Sequence, residues 1–355
     1  SIRLSFEQEF REEIDEEILV APIFSKKDVV KASELYKINE YHTWITLGEG
    51  IELKFYHSGH VFGGAICVIR IRGKKDFYIG ISGDLGREDN ILLPPPDRIH
   101  EPIDYWITES TYGDRCHPPR NQEEDRMKEA IRSVAENGGK FIFPAFSFGR
   151  TQEIIYLLSK WMISDIPNMD IYVDSPLGVN ITKVFADLWE RGILANGHKF
   201  NPFNKDQNPN LKFVQSKTES ELLVNLNGTH VVIAGSGMCD HGRVPHHLKV
   251  ALSNPNNVIG LTGFMAEGTL GRKIKDSPTG SQVRIQKEFV DVFARVISFD
   301  FSAHADAKLL IDYTKNLNRR KSLKKIFLVH GETEAAESMR QSLRDIFPNL
   351  DINSG

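Results

Sequence analysis

The stretch KFIFPAFSFGRTQEIIYLLSKWM, residues 140–162, joins an apolar strand to an amphipathic helix through a short loop rich in Phe, Ser and Gly. The same alternation surrounds it. Residues 121–139 form a helical pattern that ends at two glycines, and the strands MDIYVDS and HVVIAGS follow with the helix NITKVFADLWERG between them. Strands that alternate with helices need crossover connections, which build a mostly parallel sheet covered on both faces. The pattern predicts an α/β domain over 121–290.

The sequence on either side has a different character. Residues 44–111 contain short runs of β-branched and aromatic residues bounded by Gly and Pro, which predicts an antiparallel sheet with one buried face. After residue 290 come a strand that ends in VISFDFSAHAD, a helix, the apolar strand KKIFLVHG and a last helix at 333–347. We therefore predict that one domain, formed by 1–120 and 291–355, is interrupted by the domain 121–290.

Composition excludes some classes of protein. A chain of 355 residues with net charge −4 can hold two domains and has no general attraction for polyanions, so any nucleic-acid contact must come from a local basic cleft. The cysteines Cys67, Cys116 and Cys239 form no CxxC pair, which argues against a disulfide framework and against a thiolate zinc site. The sequence contains no apolar run of membrane-spanning length, and we expect a cytoplasmic protein with no membrane partner.

Five places share one pattern, in which a hydrophobic strand ends on a His or an acidic residue beside Gly, Ser or Ala. They are His60 in HSGHVFGG, Asp84 in ISGDLGR, Glu109 in ITESTYGD, His304 in FSAHAD and His330 in LVHGE. Each residue alone has an ordinary explanation, such as a turn cap, an ion pair or a helix cap. Strand ends that face one edge of a sheet can, however, bring distant side chains together, and His with carboxylate suits zinc. The shared pattern predicts a metal site.

These five stretches, in this order, resemble the metallo-β-lactamase-fold nucleases that carry a β-CASP domain. The segments PAFSFGRTQEI (144–154), GSGMCDHGRV (235–244) and GFMAEGTLGRKI (263–274) also resemble hallmark segments of the inserted domain. The resemblance runs from about residue 41 to residue 334. It implies an α/β fold in which a metallo-β-lactamase αββα sandwich is interrupted by a parallel-sheet β-CASP domain. It also implies a zinc-dependent phosphodiesterase that cleaves single-stranded RNA with two Zn²⁺ ions.

By position, the resemblance implies roles for single residues. His60, Asp84 and His330 match metal ligands of the family, and Asp84 matches the carboxylate that bridges the two zinc ions and takes part in catalysis. Glu109 and His304 match a catalytic pair in which the carboxylate orients the imidazole, which then acts on the scissile phosphate or its leaving oxygen.

The sequence departs from the family in one respect. The main ligand motif of the family, His-x-His-x-Asp-His, precedes all of these stretches, and no such string occurs here. Residues 1–18 read as an acidic helix already in progress, and we expect the N-terminal part of the metal domain to lie outside the given chain. On its own, the 355-residue chain is then expected to bind zinc weakly and not to cleave RNA, because two protein ligands per ion fall short of the three at an open catalytic site.

Two other functions compete with this interpretation. A catalytically inactive RNA-binding or scaffold subunit would also lack the motif, although such members commonly lose several motifs and the later ones are all intact here. A hydrolase of small esters or lactams would not need the inserted domain. The residues are compatible with exonuclease and endonuclease action, and with a monomer or a homodimer.

The inserted domain offers ways to hold RNA. Its strand-to-helix turns leave backbone N–H groups and the positive end of a helix dipole free for a phosphate, and arginines can bind phosphates in a bidentate manner. For each arginine, an ion pair within the protein is the ordinary alternative. The residues predicted to contact RNA are Ser147, Arg150, Ser175, Ser236, Gly237, Thr269 and Arg272.

Overall fold

The computed structural model describes residues 23–194 and 200–354. The chain divides into two compact units, Ser1–Glu40 and Tyr41–Gly355. The described part of the first unit contains helix α1, Lys26–Glu34, which begins after Ser25. The acidic helix predicted at 1–18 lies outside the described residues.

A seven-stranded sheet contains both ends of the second unit. Its strands in spatial order are β1 (Ile45–Gly48), β2 (Ile51–His57), β3 (Ala65–Ile71), β4 (Phe77–Ile81), β5 (Tyr105–Glu109), β14 (Lys325–Val329) and β15 (Asp351–Ser354). Strands β1 to β4 are antiparallel neighbours, as predicted. Strand β5 is parallel to both β4 and β14, so the antiparallel prediction was wrong for the last strand of 44–111. The long connection 82–104 allows the crossover that a parallel pair requires.

A six-stranded sheet forms the centre of the predicted insert. Its strands in spatial order are β13 (Arg295–Phe299), β10 (Val258–Thr262), β6 (Lys140–Pro144), β9 (His230–Ala234), β7 (Asp170–Asp174) and β8 (Leu211–Phe213). All neighbouring strands are parallel, which confirms the α/β prediction. Strand β13 lies beyond residue 290, where we predicted the return to the first domain, yet it pairs with β10. The six-stranded sheet therefore includes a strand that lies beyond residue 290 and ends at Phe299.

Helices cover both faces of the six-stranded sheet. They are α2 (Arg120–Asn137), α3 (Arg150–Trp161), α4 (Pro176–Glu190), α5 (Lys217–Val224), α6 (Val244–Ala251) and α7 (Leu270–Asp276). One apolar core joins α2, α3 and α4 to one face of the sheet, and a second joins α5, α6, α7 and the hairpin β11–β12 (Gln282–Ile285 and Glu288–Asp291) to the other. Successive residues of one strand, such as Phe141 and Ile142, enter different cores because neighbouring side chains along a strand point to opposite faces.

Two helices, α8 (Ala307–Leu317) and α9 (Thr333–Ile346), pack on the seven-stranded sheet. A 3₁₀ turn, Asn318–Arg320, follows α8. The fully buried Trp106 stacks on Tyr313 of α8 with ring centroids 5.8 Å apart, and burial of such a side chain contributes about 1.5–3 kcal/mol. Of the predicted αββα sandwich, the described residues thus supply one sheet and one helical layer.

The predictions about cysteines and membrane spans can be compared with the structure. Cys67, Cys116 and Cys239 are all free, as the absence of a CxxC pattern indicated. Within 23–194 and 200–354, no helix has both the length and the apolar character needed to cross a bilayer.

Candidate active site

The five predicted strand-end residues reach one edge of the seven-stranded sheet because of the strand directions. Strands β2, β4, β5 and β14 all run the same way, since β3 reverses the chain between β2 and β4 and the other pairs are parallel. His60, Asp84 and His330 follow β2, β4 and β14, and Glu109 ends β5. His304 arrives from elsewhere, on the segment between β13 and α8.

The side chains converge as predicted. Nε2 of His60 lies 3.6 Å from Oδ2 of Asp84, and Nδ1 of His330 lies 3.6 Å from the other oxygen of Asp84. The ring of His304 lies close to both of the other rings, with its centroid 4.3 Å from that of His60 and 5.7 Å from that of His330. Two sets of three residues have potential metal-ligand atoms within 4.8 Å of one another. One set is His60, Asp84 and His304, and the other is Glu109, His304 and His330. One carboxylate thus has a different histidine beside each of its oxygens.

Glu109 and His304 form the predicted pair. Oε2 of Glu109 accepts from Nδ1 of His304 at 2.9 Å, and Oε1 accepts from the backbone N–H of Leu85 at 2.5 Å. The carboxyl group is buried, with 1% of its side chain exposed. Burial alone lowers the pKa of His304, but the hydrogen bond and the negative charge of Glu109 outweigh it and raise that pKa above its ordinary value. Since Nδ1 carries the proton given to Glu109, Nε2 remains for chemistry.

His60 has the state that a metal ligand needs. Burial, followed by the nearby ring of His304, lowers the pKa of His60 to about 4, so the imidazole is neutral at pH 7. Its buried Nδ1 has no hydrogen-bond partner among the described residues. His330 is more exposed and lies beside Thr111, whose hydroxyl oxygen is 3.1 Å from Nδ1. Imidazole nitrogens beside a carboxylate are a donor set that fits zinc.

Close contact between backbones holds the loops of this site together. A Cβ atom on Gly86 would lie 2.0 Å from the carbonyl carbon and oxygen of Gly59, so no larger residue fits there. Isolated β-bridges join Gly59 to Leu85 and Gly86 to His304. Glycine at position 86 therefore allows the loops of His60 and Asp84 and the segment of His304 to touch.

The site opens into a cavity of about 690 Å³ between the strand ends of the two sheets. The seven-stranded sheet and the segment before α8 contribute the histidines and Asp84, and the insert contributes Phe146, Phe148, Arg150, Met238 and Phe264. The side chains of Phe146 and Phe148 are 53% and 39% exposed. The cleft thus has a polar cluster at the sheet edge, flanked by apolar side chains such as Phe62 and Leu92, and exposed aromatic rings on the side of the insert.

Four of the predicted RNA-contacting residues follow strands of the six-stranded sheet. Ser147 and Ser175, after β6 and β7, have hydroxyl oxygens 3.0 Å apart. Ser236 and Gly237 follow β9, and the buried hydroxyl of Ser236 has no hydrogen-bond partner in the described part of the chain. Gly237 packs against the ring of Phe146, where a Cβ atom would lie 2.9 Å from ring carbons. These positions form a compact edge beside the cleft, and their contact with RNA stays a prediction.

The remaining three predicted RNA contacts have partners within the protein. Arg150 lines the cleft but is buried and bonded to Glu153, and burial lowers its pKa. Arg272 donates to Asp276 at 2.6 Å one turn further along α7, and Thr269 caps that helix by accepting from the backbone of Arg272 at 3.2 Å. The ion pairs weighed as the ordinary alternative for both arginines are thus observed.

Two sets of buried hydrogen bonds, around Asp174 and around His117, were not predicted from the sequence. Asp174, at the end of β7, accepts from Ser220 (2.6 Å), Arg243 (2.5 Å) and His247 (2.7 Å) and so connects the turns after β7 and β9. His117 lies 3.0 Å from the carbonyl oxygen of His304. For Asp174 a signal existed, because it is an acidic residue at the end of an apolar strand like Asp84.

Two family models match separate parts of the chain. Residues 151–274 match a Beta-Casp domain, and residues 290–352 match a Zn-dependent metallo-hydrolase RNA specificity domain. An RNase J-like protein of Methanocaldococcus jannaschii is 31% identical over 316 residues, which cover 87% of this chain and 70% of that protein. A ribonuclease of Thermus thermophilus is 33% identical, with 89% and 71% covered. An endoribonuclease of Schizosaccharomyces pombe is 28% identical over 93% of this chain and 42% of its own length.

Proposed function

The chain belongs to the family of metallo-β-lactamase-fold nucleases that carry a β-CASP domain, and on that premise we propose that it serves a zinc-dependent RNA phosphodiesterase of RNA processing or degradation. The relatives from Thermus thermophilus and Schizosaccharomyces pombe are named as a ribonuclease and an endoribonuclease. We propose single-stranded RNA as the substrate, the cytoplasm as the location and two zinc ions as the cofactor. A homodimer is a further prediction, which light scattering of the full-length protein can test.

The observation that carries the proposal is the placement of Asp84 between two histidines, beside a separate Glu109–His304 pair. The two oxygens of Asp84 each lie 3.6 Å from a histidine nitrogen, too far for hydrogen bonds but suited to atoms that share an ion. His60, Asp84 and His330 would hold the metal.

Zinc, when bound, lowers the pKa of a coordinated water and stabilises negative charge on phosphate oxygens. The protein residues then supply the proton transfer. Glu109 holds Nδ1–H of His304 and so directs Nε2 away from the carboxylate. The raised pKa of His304 increases the fraction of the ring that is protonated near neutral pH. A protonated Nε2 can donate to the leaving 3′ oxygen, which is the role of a general acid.

The insert would hold the strand to be cut. Ser147, Ser175 and Ser236 offer hydroxyl groups for phosphate oxygens at the strand ends of the six-stranded sheet. Phe146 and Phe148 expose aromatic rings to the same cleft, and unpaired bases stack on such rings without strong sequence preference. A base inside a duplex would not be free to stack in this way, which favours single-stranded RNA.

The test is cleavage of a 5′-labelled single-stranded RNA by the full-length protein, with and without a zinc chelator. We expect cleavage that the chelator abolishes and added zinc restores. A nitrophenyl ester serves as the competing substrate in the same assay. Hydrolysis of the ester without cleavage of RNA would replace this proposal with a small-ester hydrolase, and RNA binding without any hydrolysis would favour the inactive subunit.

A further inference from the structure

His117 is a buried histidine that none of the roles above uses. It lies on the connection between β5 and α2, and its side chain is 4% exposed. Its ring reaches the segment 300–306, which carries His304 between the six-stranded sheet and α8. It packs edge-on against the ring of Tyr112, with centroids 4.7 Å apart.

Both ring nitrogens of His117 face oxygen atoms. Nδ1 lies 3.0 Å from Oδ2 of Asp300, and Nε2 lies 3.0 Å from the backbone carbonyl oxygen of His304. Through these two contacts the ring of His117 bridges the side chain of Asp300 and the peptide of His304, which lie four residues apart in the chain.

The backbone of residues 115–117 adds two more bonds, one to the end of this segment and one to the first residue of α8. The N–H of His117 donates to Oδ2 of Asp306 at 3.1 Å, and the carbonyl of Arg115 accepts from the N–H of Ala307 at 3.0 Å. Residues 115–117 thus hold the chain before and after His304. Asp306 also caps α8 by accepting from the N–H of Leu309 at 2.9 Å.

The opposite side of the segment is held by the loop of Asp84. The N–H of Ala305 donates to the carbonyl of Leu85 at 2.7 Å, and the N–H of Arg87 donates to the carbonyl of Ala303 at 3.2 Å. These bonds fix the backbone on either side of His304, but the carbonyl of His304 itself is bonded by the ring of His117. The orientation of that peptide sets the direction in which the imidazole of His304 leaves the chain.

We propose that His117 is a positioning residue, which fixes the backbone of His304 so that Nε2 of His304 is aimed at the leaving oxygen. Glu109 fixes the ring from one end, at Nδ1, and His117 fixes the peptide from which the side chain projects. The catalytic consequence rests on the function proposed above. A catalytic group displaced by about 1 Å can lose about 10²-fold in rate, so the effect belongs in kcat.

The test compares His117→Gln with Asp300→Asn and with the control His100→Gln, all in the full-length protein. His100 is exposed and its substitution removes no contact to the segment 300–306. For His117→Gln we expect kcat for RNA to fall about tenfold or more, with KM within about twofold and zinc content unchanged. Asp300→Asn, which keeps an acceptor for Nδ1–H but loses the charge, should fall less, and His100→Gln should match the wild type. A rise in KM at constant kcat, or a kcat equal to that of the control, would overturn the proposal.

Amide hydrogen exchange gives a second answer that does not depend on cleavage. In His117→Gln, exchange should become faster in 300–306 and stay unchanged in β5, which carries Glu109. If the wild-type protein cleaves no RNA but exchange changes in this way, the proposed function fails and the positioning role stands. Unchanged exchange in 300–306, or faster exchange throughout both sheets, would contradict the positioning role. Should His117→Gln not fold, Asp300→Asn, which differs by one atom type, carries the same measurements.

Discussion

Each of the two sheets carries a carboxylate where its strands end, but the hydrogen-bond partners of the two carboxylates differ. At the seven-stranded sheet, Asp84 lies 3.6 Å from each of two histidine nitrogens, and Nδ1 of His60 has no hydrogen-bond partner among the described residues. At the six-stranded sheet, Asp174 is the corresponding carboxylate, and it accepts three hydrogen bonds of 2.5–2.7 Å. Buried polar groups are normally paired. We therefore propose that the incomplete set at Asp84 holds an ion, whereas the complete set at Asp174 stabilises the fold.

Among the substitutions that compare the two carboxylates, replacement of Asp84 should have the largest effect on zinc content and RNA cleavage. In the full-length protein, Asp84→Ala removes the group shared by His60 and His330, so we expect zinc content to fall and RNA cleavage to drop below detection. The measurements are metal analysis and cleavage of labelled RNA. Asp312→Ala, at a carboxylate on α8 that is 46% exposed, is the matched control and should keep both. Stoichiometric zinc in the Asp84 variant would show that the two sheet edges do not differ as described.

Substitution of Asp174 should instead affect stability. Asp174→Asn removes the buried charge that pairs with Arg243 and alters the hydrogen bond with His247, and we expect the free energy of unfolding to fall by about 3–5 kcal/mol. Urea unfolding measures this. Asp170→Asn, on the same strand but 44% exposed, should change it by less than about 1 kcal/mol. Equal effects of the two variants would mean that the network around Asp174 contributes nothing beyond surface charge.

A pH effect on stability should come from the opposite end of the six-stranded sheet. His230, at the start of β9, is 2% exposed, and burial lowers its pKa to about 4. The unfolded chain, with an ordinary pKa near 6.5, takes up a proton that the folded chain does not, so stability is lost as pH falls below 6.5. From pH 7 to pH 5 the contribution of His230 is a loss of about 2 kcal/mol in the free energy of unfolding.

The check is the pH dependence of urea unfolding in His230→Gln, which should be flatter than in the wild type by that amount. His246→Gln, at an exposed histidine of α6, should leave the dependence as it is. An identical pH dependence in the wild type and in His230→Gln would contradict this, because it would mean that His230 binds a proton as readily in the folded protein as in the unfolded chain.

The smallest expected effect concerns the aromatic wall of the cleft. Phe146→Ala removes a ring that is 53% exposed there, and loss of one base stack should weaken binding of single-stranded RNA by about 1 kcal/mol, roughly fivefold. Fluorescence anisotropy of the full-length protein with labelled RNA measures it. Phe289→Ala, at a 70% exposed ring on β12, controls for loss of surface apolar area. Equal affinities for the two variants would remove the stacking role of this wall.

The sequence predicted which residues lie together because a His or an acidic residue beside a small residue follows several of the hydrophobic strands. His60, Asp84 and His330 could be placed together on the expectation that strand ends share an edge, and this holds because β2, β4 and β14 run in one direction. Strand direction itself has no local signal, so the parallel pairing of β5 was missed. The sheet to which β13 belongs was missed for a related reason, since its apolar run suits either core.

The contacts that lie outside strand ends were less predictable. His117 stands on a connection, and its three partners come from a segment far along the chain, at 300–306. The local sequence ESTYGDRCH gives no indication that this histidine contacts the carbonyl of His304. Arg150 and Arg272 show the same limit, because an ion pair and a phosphate contact require the same residue type at the same position.

The most direct test of the division of roles within the seven-stranded edge is the zinc content of His304→Ala, measured with its cleavage rate on the full-length protein. His304 is bonded to Glu109 and stands beside the metal ligands without being one of them in this account. We predict that the variant keeps the zinc of the wild type and loses about 10²–10⁴-fold in RNA cleavage, the amount that general acid catalysis contributes. Loss of zinc from this variant, or cleavage at the wild-type rate, would contradict the account.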